Sequence, residues 1–184
     1  IPAARRVTVC LSSQAGCKFA CRFCASGKSG LTRNLSCAEI LSQLIYARRF
    51  SAARDISHVV FMGTGEPLDN YEAVLQAVRI INAKEGFGIG ARRITISTCG
   101  LVPQIKRLAE EGLQIELSIS LHGYNDAVRS RLMPVNRKYP LASLMAACRE
   151  YCRRTKRQIT FEYILIKDLT CVPDSVLALR QLFK

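Results

Sequence analysis

Apolar positions along this chain follow two periods that alternate from one end to the other, one of them strand-like and the other helix-like. A first strand is predicted near Arg6–Leu11. It is followed by a helix at about Ser36–Phe50, opened by the capping box Ser36-Cys37-Ala38-Glu39 and carrying apolar Ile40, Leu41, Leu44 and Ile45. After a strand at Ser57–Met62, Asp69-Asn70-Tyr71-Glu72 starts a second helix in the same way, with Val74, Ala77, Val78 and Ile81 at helical spacing before the Gly86–Gly90 turn region. Strand Arg93–Thr98, helix Val102–Glu111, strand Gln114–Leu121, helix Leu141–Arg154, strand Gln158–Ile166 and a helix from about Pro173 continue the series. Strands and helices in strict alternation predict an α/β domain built on a parallel sheet. An eight-unit barrel takes roughly 250 residues, or about 30 per unit, so the 184 residues here hold five βα units and part of a sixth. The expected architecture is an open, partial (β/α) barrel spanning 1–184 as one domain.

Composition narrows the setting. Hydrophobic residues make up 49% of the sequence without gathering into a run long enough to span a bilayer, and no signal peptide is visible, so the expectation is a cytoplasmic protein with no membrane partner. Lys and Arg outnumber Asp and Glu by 27 to 14, a formal charge of +13. The excess lies in separate segments: Arg48, Arg49 and Arg54, then Arg92 and Arg93, then Arg149, Arg153, Arg154, Lys156 and Arg157. It suits a polyanionic partner such as nucleic acid, and equally a solubilising surface.

Nine cysteines, an odd number, fit poorly with a disulfide scaffold. Their crowding near the N-terminus is more informative. Cys17-Lys18-Phe19-Ala20-Cys21-Arg22-Phe23-Cys24 is a C-x3-C-x2-C loop just beyond the first strand. Iron–sulfur clusters usually have four protein ligands, so Cys17, Cys21 and Cys24 as three ligands of a [4Fe–4S] cluster leave one iron for an external ligand. S-adenosylmethionine suits that position, since its amino and carboxylate groups can chelate the iron. Two alternatives are a zinc site completed by His58, His122 or another cysteine, and buried unreactive thiols.

In parallel barrels the side chains that do chemistry collect at the carboxyl ends of the strands. Gly63-Thr64-Gly65-Glu66-Pro67 follows the second strand, where Gly65 allows close backbone approach and Glu66 could pair with a ligand ammonium. Ser97-Thr98-Cys99-Gly100 and Ser120-Leu121-His122 offer hydroxyls and an imidazole at the next two strand ends. Each has a plainer role available: a Gly-rich turn, a Ser97 that caps backbone, a His122 that is purely structural.

With these residues in place, the chain resembles the radical-SAM RNA methyltransferases of the RlmN/Cfr group nearly end to end. The resemblance is carried by Cys10-Leu11-Ser12-Ser13-Gln14-Ala15-Gly16-Cys17, the cluster loop, Met62-Gly63-Thr64-Gly65-Glu66-Pro67, Arg92-Arg93-Ile94-Thr95-Ile96-Ser97-Thr98, Ser120-Leu121-His122 and Met133-Pro134-Val135-Asn136. It implies a radical-SAM type of partial barrel, a [4Fe–4S] cluster on Cys17, Cys21 and Cys24, and S-adenosylmethionine contacts from Gly65, Glu66, Ser97, Ser120, Leu121 and His122. It implies methylation of an adenine in 23S rRNA, at carbon-2, with tRNA as a second substrate; the carbon-8 branch is the close alternative. It also implies an electron donor of the flavodoxin or ferredoxin type and a monomer.

The same resemblance gives Cys10 a role, as the cysteine that resolves a protein–RNA adduct by forming a transient disulfide with a methyl-carrying cysteine. From the residues alone Cys10 reads as a small buried residue on a strand. The carrier, the family's last S-adenosylmethionine-contacting asparagine and its final strand are expected beyond Lys184, and its proposed glutamate base before Ile1. The chain is therefore expected to be a fragment or a shortened relative, with a noncatalytic iron–sulfur or RNA-binding remnant as the rival. Gly123-Tyr124-Asn125 stands where the family more usually has Ala-Pro-Asn.

Overall fold

The computed structural model describes residues 2–3, 6–50 and 56–183, so Arg54 of the first basic segment lies outside the described residues. The main sheet contains β1 (Pro2–Ala3), β2 (Arg6–Cys10), β5 (His58–Phe61), β6 (Ile94–Thr98), β7 (Glu116–Ser120) and β8 (Ile159–Glu162) in that spatial order. β1 is antiparallel to β2 at the edge; every later neighbour is parallel. A strand order that follows chain order lays each unit beside the last, as in a barrel, whereas a doubly wound sheet reverses direction part-way. The open, partial α/β barrel expected from the alternation is the fold observed.

The helices are α1 (Cys37–Phe50), α2 (Tyr71–Asn82), α3 (Val102–Leu108), α4 (Asp126–Leu132), α5 (Leu141–Thr155) and α6 (Pro173–Leu182). Their apolar stripes close over one face of the sheet. Val59, Phe61, Ile94, Ile96, Leu117 and Ile119 from the strands meet Leu44, Val74, Val78, Ile81, Ile105, Leu144 and Tyr151 from the helices, all buried. Each such aliphatic side chain contributes about 1.5–3 kcal/mol on burial. The four positions of α2 set by helical spacing, Val74, Ala77, Val78 and Ile81, are fully buried. On α1 the expectation holds for Ile40 and Leu44, but Ile45 is 47% exposed.

The capping box of α1 forms as its sequence predicts: Glu39 N–H donates to Ser36 Oγ at 3.2 Å and Ser36 N–H to Glu39 Oε2 at 2.9 Å. The start of α2 differs. Asn70 makes no side-chain cap there; its amide instead donates to Ser13 O and Leu35 O, tying α2 to the segments that flank the three-cysteine loop. The strand expected over Gln158–Ile166 ends at Glu162. Beyond it, the fully buried Thr170 hydroxyl accepts from Ile166 N–H and donates to Ile164 O, folding the segment back on itself.

Candidate functional site

The three-cysteine loop is carried by a hairpin that the apolar pattern does not announce. β3 (Gln14–Gly16) and β4 (Leu31–Asn34) pair antiparallel outside the main sheet, with residues 17–30 between them. Cys17 N–H donates to Gly30 O at 2.9 Å and Cys24 N–H to Cys21 O at 3.0 Å, fixing both ends of the loop. Its middle docks on the far side of the site, where Arg22 N–H donates to Leu132 O at 2.9 Å and the Phe23 ring meets the His122 ring edge-on at 4.8 Å. Lys18 closes an ion pair with Asp69 at 2.7 Å.

The loop and the strand ends enclose a cavity of about 290 Å³, near the lower bound of roughly 300 Å³ usual for small-molecule sites. Cys17, Cys21 and Cys24 line it, together with Gly65, Glu66, Ser97, Ser120 and His122. Leu121 does not. It is fully buried, between the lining residues Ser120 and His122. Phe19, Phe23, Phe61, Met62 and Met133 supply the apolar wall.

Ser12, Ser13 and Gln14 shape the Gly63–Glu66 turn. Ser12 Oγ accepts from Thr64 N–H at 3.1 Å, Thr64 O accepts from Ser13 N–H at 2.9 Å, and Gln14 Oε1 accepts from Glu66 N–H at 2.8 Å. At Gly65 φ is +106°, and a Cβ would come 2.6 Å from Gln14 Cβ. The close approach that requires glycine here is thus to the protein's own β3 segment, and it turns Glu66 inward.

The Glu66 carboxylate accepts from Leu68 N–H at 3.0 Å and Cys99 N–H at 2.7 Å. Burial nevertheless raises its pKa, outweighing those amide donors. Burial likewise pushes the Cys21 thiol up to about 12, reinforced by the neighbouring thiols, and raises Cys17. Thiols so placed keep their protons until a metal displaces them.

His122 sits in the left-handed region at φ +49°. Its Nδ1 accepts from Ile164 N–H at 3.1 Å. A backbone N–H can only donate, so the ring proton is on Nε2. Burial, then the charge of Arg129, lowers His122 to about 4, so the ring is a neutral donor at physiological pH. One lining residue escaped the sequence reading. Glu162, at the end of β8, accepts from Ser97 Oγ at 3.1 Å and from Ser120 Oγ at 3.4 Å, turning the hydroxyl lone pairs toward the cavity. Its only sequence signal is an acidic residue inside the predicted strand Gln158–Ile166.

The zinc alternative loses its two histidine partners. His58 lies at the amino end of β5, bonded to Ser57 and Arg6, and His122 Nδ1 is engaged by backbone.

Cys10 is exposed at the end of β2, which removes the buried-residue reading, and it is not among the residues lining the cavity. The resemblance attaches a transient disulfide to it; in the structure all nine cysteines are free thiols, so no disulfide supports this fold. Part of the basic excess is engaged internally, with Arg154 paired to Glu110 and Glu150 and Arg157 to Glu116. No helix among the described residues is long and apolar enough to cross a membrane. Gly123 faces the backbone of α4, where an added Cβ would come 2.6 Å from Arg129 Cβ and 2.7 Å from its Cα. An alanine at this position would require α4 to shift.

Comparison with known proteins agrees with this geometry. The Radical SAM superfamily model matches residues 11–170. A probable dual-specificity RNA methyltransferase RlmN from Pelotomaculum thermopropionicum is 57% identical over 159 residues, covering 86% of this chain and 43% of that protein. The corresponding protein of Desulforudis audaxviator is 53% identical, covering 91% and 52%. A radical SAM methyltransferase structure from Sphaerobacter thermophilus superposes with a TM-score of 0.97 at 47% identity, covering all of this chain and 55% of that one. The chain thus spans about half the length of these relatives. The superfamily implies a [4Fe–4S] cluster and S-adenosylmethionine, and the three thiols beside a polar-floored, apolar-walled cavity fit that pair. On the strength of the family match and the superposition, the chain belongs to the radical SAM superfamily.

Proposed function

We propose that this chain is the radical-SAM core of an RNA methyltransferase that methylates carbon-2 of an adenine in 23S rRNA, and in tRNA as a second substrate. The observation that carries the reading is that Cys17, Cys21 and Cys24 line one cavity together with Glu66, Ser97, Ser120 and His122, in a chain matched by proteins named RNA methyltransferases.

In this reading Cys17, Cys21 and Cys24 hold the cluster, and residues 1–184 form one domain. When bound, cluster and S-adenosylmethionine supply one-electron cleavage of the sulfonium, chemistry that belongs to the cofactors. The protein's work is placement. The inward turn of Gly65 and Glu66 offers backbone and a carboxylate to the ammonium of methionine. Ser97 and Ser120, each donating to Glu162, present lone pairs to ligand N–H or O–H groups. His122 donates from Nε2, and Leu121 contributes backbone. Phe19, Phe23, Phe61 and Met133 exclude water, which protects a reactive radical from side reactions.

The exposed Cys10 thiol is free to approach a second cysteine and resolve a protein–RNA adduct. The +13 charge favours RNA over a neutral substrate. An electron donor of the flavodoxin or ferredoxin type and a monomeric, cytoplasmic protein complete the proposal. The test is mass spectrometry of rRNA from a strain lacking its own enzyme and complemented with the gene encoding this chain. 2-Methyladenine is expected; 8-methyladenine as the main product contradicts the carbon-2 assignment, and unmodified RNA favours the noncatalytic rival.

A further inference from the structure

Arg129 is a fully buried arginine on α4. Its Nε donates to Leu121 O at 2.9 Å, one terminal nitrogen to Asn136 Oδ1 at 3.0 Å, and the other to Cys99 O at 2.7 Å and Ser120 O at 3.1 Å. These acceptors are three backbone carbonyls and one side-chain amide, all neutral. Burying a guanidinium without a directly bound carboxylate is expensive, since burial penalises the charged form and ordinarily demands an anion. Arginine does not escape that cost by losing its proton.

The position of the charge is equally specific. Cys99 and Ser120, whose carbonyls it holds, both line the cavity. The helix that carries it receives the cluster loop, through Arg22 N–H on Leu132 O at 2.9 Å, and leads into Met133, another lining residue. Asn136 closes the network from behind by donating to Asp126 Oδ1 at 2.9 Å and Asp126 O at 3.2 Å. This gives the Met133-Pro134-Val135-Asn136 string a physical role that its sequence did not reveal: it orients the buried cation.

We propose that Arg129 is a positioning residue that clamps the ends of β6 and β7 and places an incompletely compensated positive charge behind the Cys99 and Ser120 lining of the cluster site, favouring the reduced cluster. The inference rests on the cluster reading above. Reduction adds one electron, taking the cluster from [4Fe–4S]2+ to [4Fe–4S]+ at the expense of a one-electron donor, dithionite in the test. A nearby fixed cation stabilises the more negative product, and local net charge is among the determinants of cluster potential.

The experiment is a potentiometric titration, followed by electron paramagnetic resonance, of the protein reconstituted anaerobically with iron and sulfide. R129Q removes the charge and is expected to move the midpoint to more negative potential. R129K keeps the charge while losing the fork that binds the carbonyls, so it is expected to lower thermal stability with a smaller midpoint shift than R129Q. D126N removes an anion whose Oδ1 acceptor role an asparagine can retain, and is expected to move the midpoint in the opposite, positive direction. D126N decides the matter should R129Q fail to fold. A purely structural Arg129 would leave the midpoint unchanged in every folded variant, and that result overturns the proposal. A parent protein that takes up no cluster overturns the cluster reading and this proposal with it.

Discussion

His122 Nδ1 accepts a hydrogen bond from the backbone N–H of Ile164, 3.1 Å away, across the gap between the ends of β7 and β8. Protonating the ring would turn that acceptor into a donor facing another donor. Burial and Arg129 hold His122 down to about 4, against the ordinary 6.5. In the unfolded chain the ring takes up its proton below about pH 6.5, while in the folded chain it stays neutral until about pH 4. Stability is therefore retained above pH 6.5 and lost as pH falls through this window, by at most about 3 kcal/mol from this group. Urea unfolding across the window, comparing the parent with H122N, isolates it. Asparagine tolerates the left-handed backbone at this position. The stability difference between the two proteins should vary with pH; a constant difference contradicts the assignment.

Gln14 joins β3 to the turn that aims Glu66. Its side chain accepts from Glu66 N–H and donates to Asn34 Oδ1 and Asp69 Oδ2. Q14A leaves the buried Glu66 amide without an acceptor, a loss of about 1–3 kcal/mol. Equilibrium dialysis of S-adenosylmethionine against the reconstituted variant should show weakened binding. Unchanged stability and affinity would mean that the turn is held without Gln14.

Gly65 and Gly90 make a matched pair of tests. G65A places a side chain at φ +106° and 2.6 Å from Gln14 Cβ, costing roughly 1–3 kcal/mol from the backbone conformation alone. At Gly90 nothing lies within 4 Å of an added Cβ and φ is not positive, so G90A should be neutral or stabilise by up to about 1 kcal/mol. Thermal denaturation of both variants checks the contrast.

Cys10 is exposed and outside the cavity lining. C10A should therefore leave iron and sulfide content unchanged; made in a protein that also contains the methyl-carrying cysteine expected beyond Lys184, it should stop release of methylated RNA and trap protein on it. Denaturing gels of the variant with substrate RNA read this directly; normal product release removes Cys10 from the scheme.

Elements with strong periodicity were legible in the sequence because packing alone decides them, as Val74, Ala77, Val78 and Ile81 show on α2. The β3–β4 hairpin was not, since strands of three and four residues carry almost no alternation and are held by Gln14, Asn34 and Gly30 instead. α4 escaped for a related reason: its buried residues are Leu132 and the charged Arg129, the reverse of an apolar stripe. The three cysteines and the strand-end motifs that line the cavity could be picked out because each is local in sequence. Glu162 could not, because its meaning comes only from Ser97 and Ser120, which lie 65 and 42 residues away.

In the proposed site Cys17, Cys21 and Cys24 hold a [4Fe–4S] cluster with an iron open to S-adenosylmethionine. Electron paramagnetic resonance of the anaerobically reconstituted, dithionite-reduced protein, recorded with and without S-adenosylmethionine, tests this. A [4Fe–4S]+ signal that changes shape on adding the cofactor, and is lost in C17A, C21A and C24A, is the predicted result. A colourless protein holding zinc and no sulfide, or a cluster signal indifferent to S-adenosylmethionine, would contradict it.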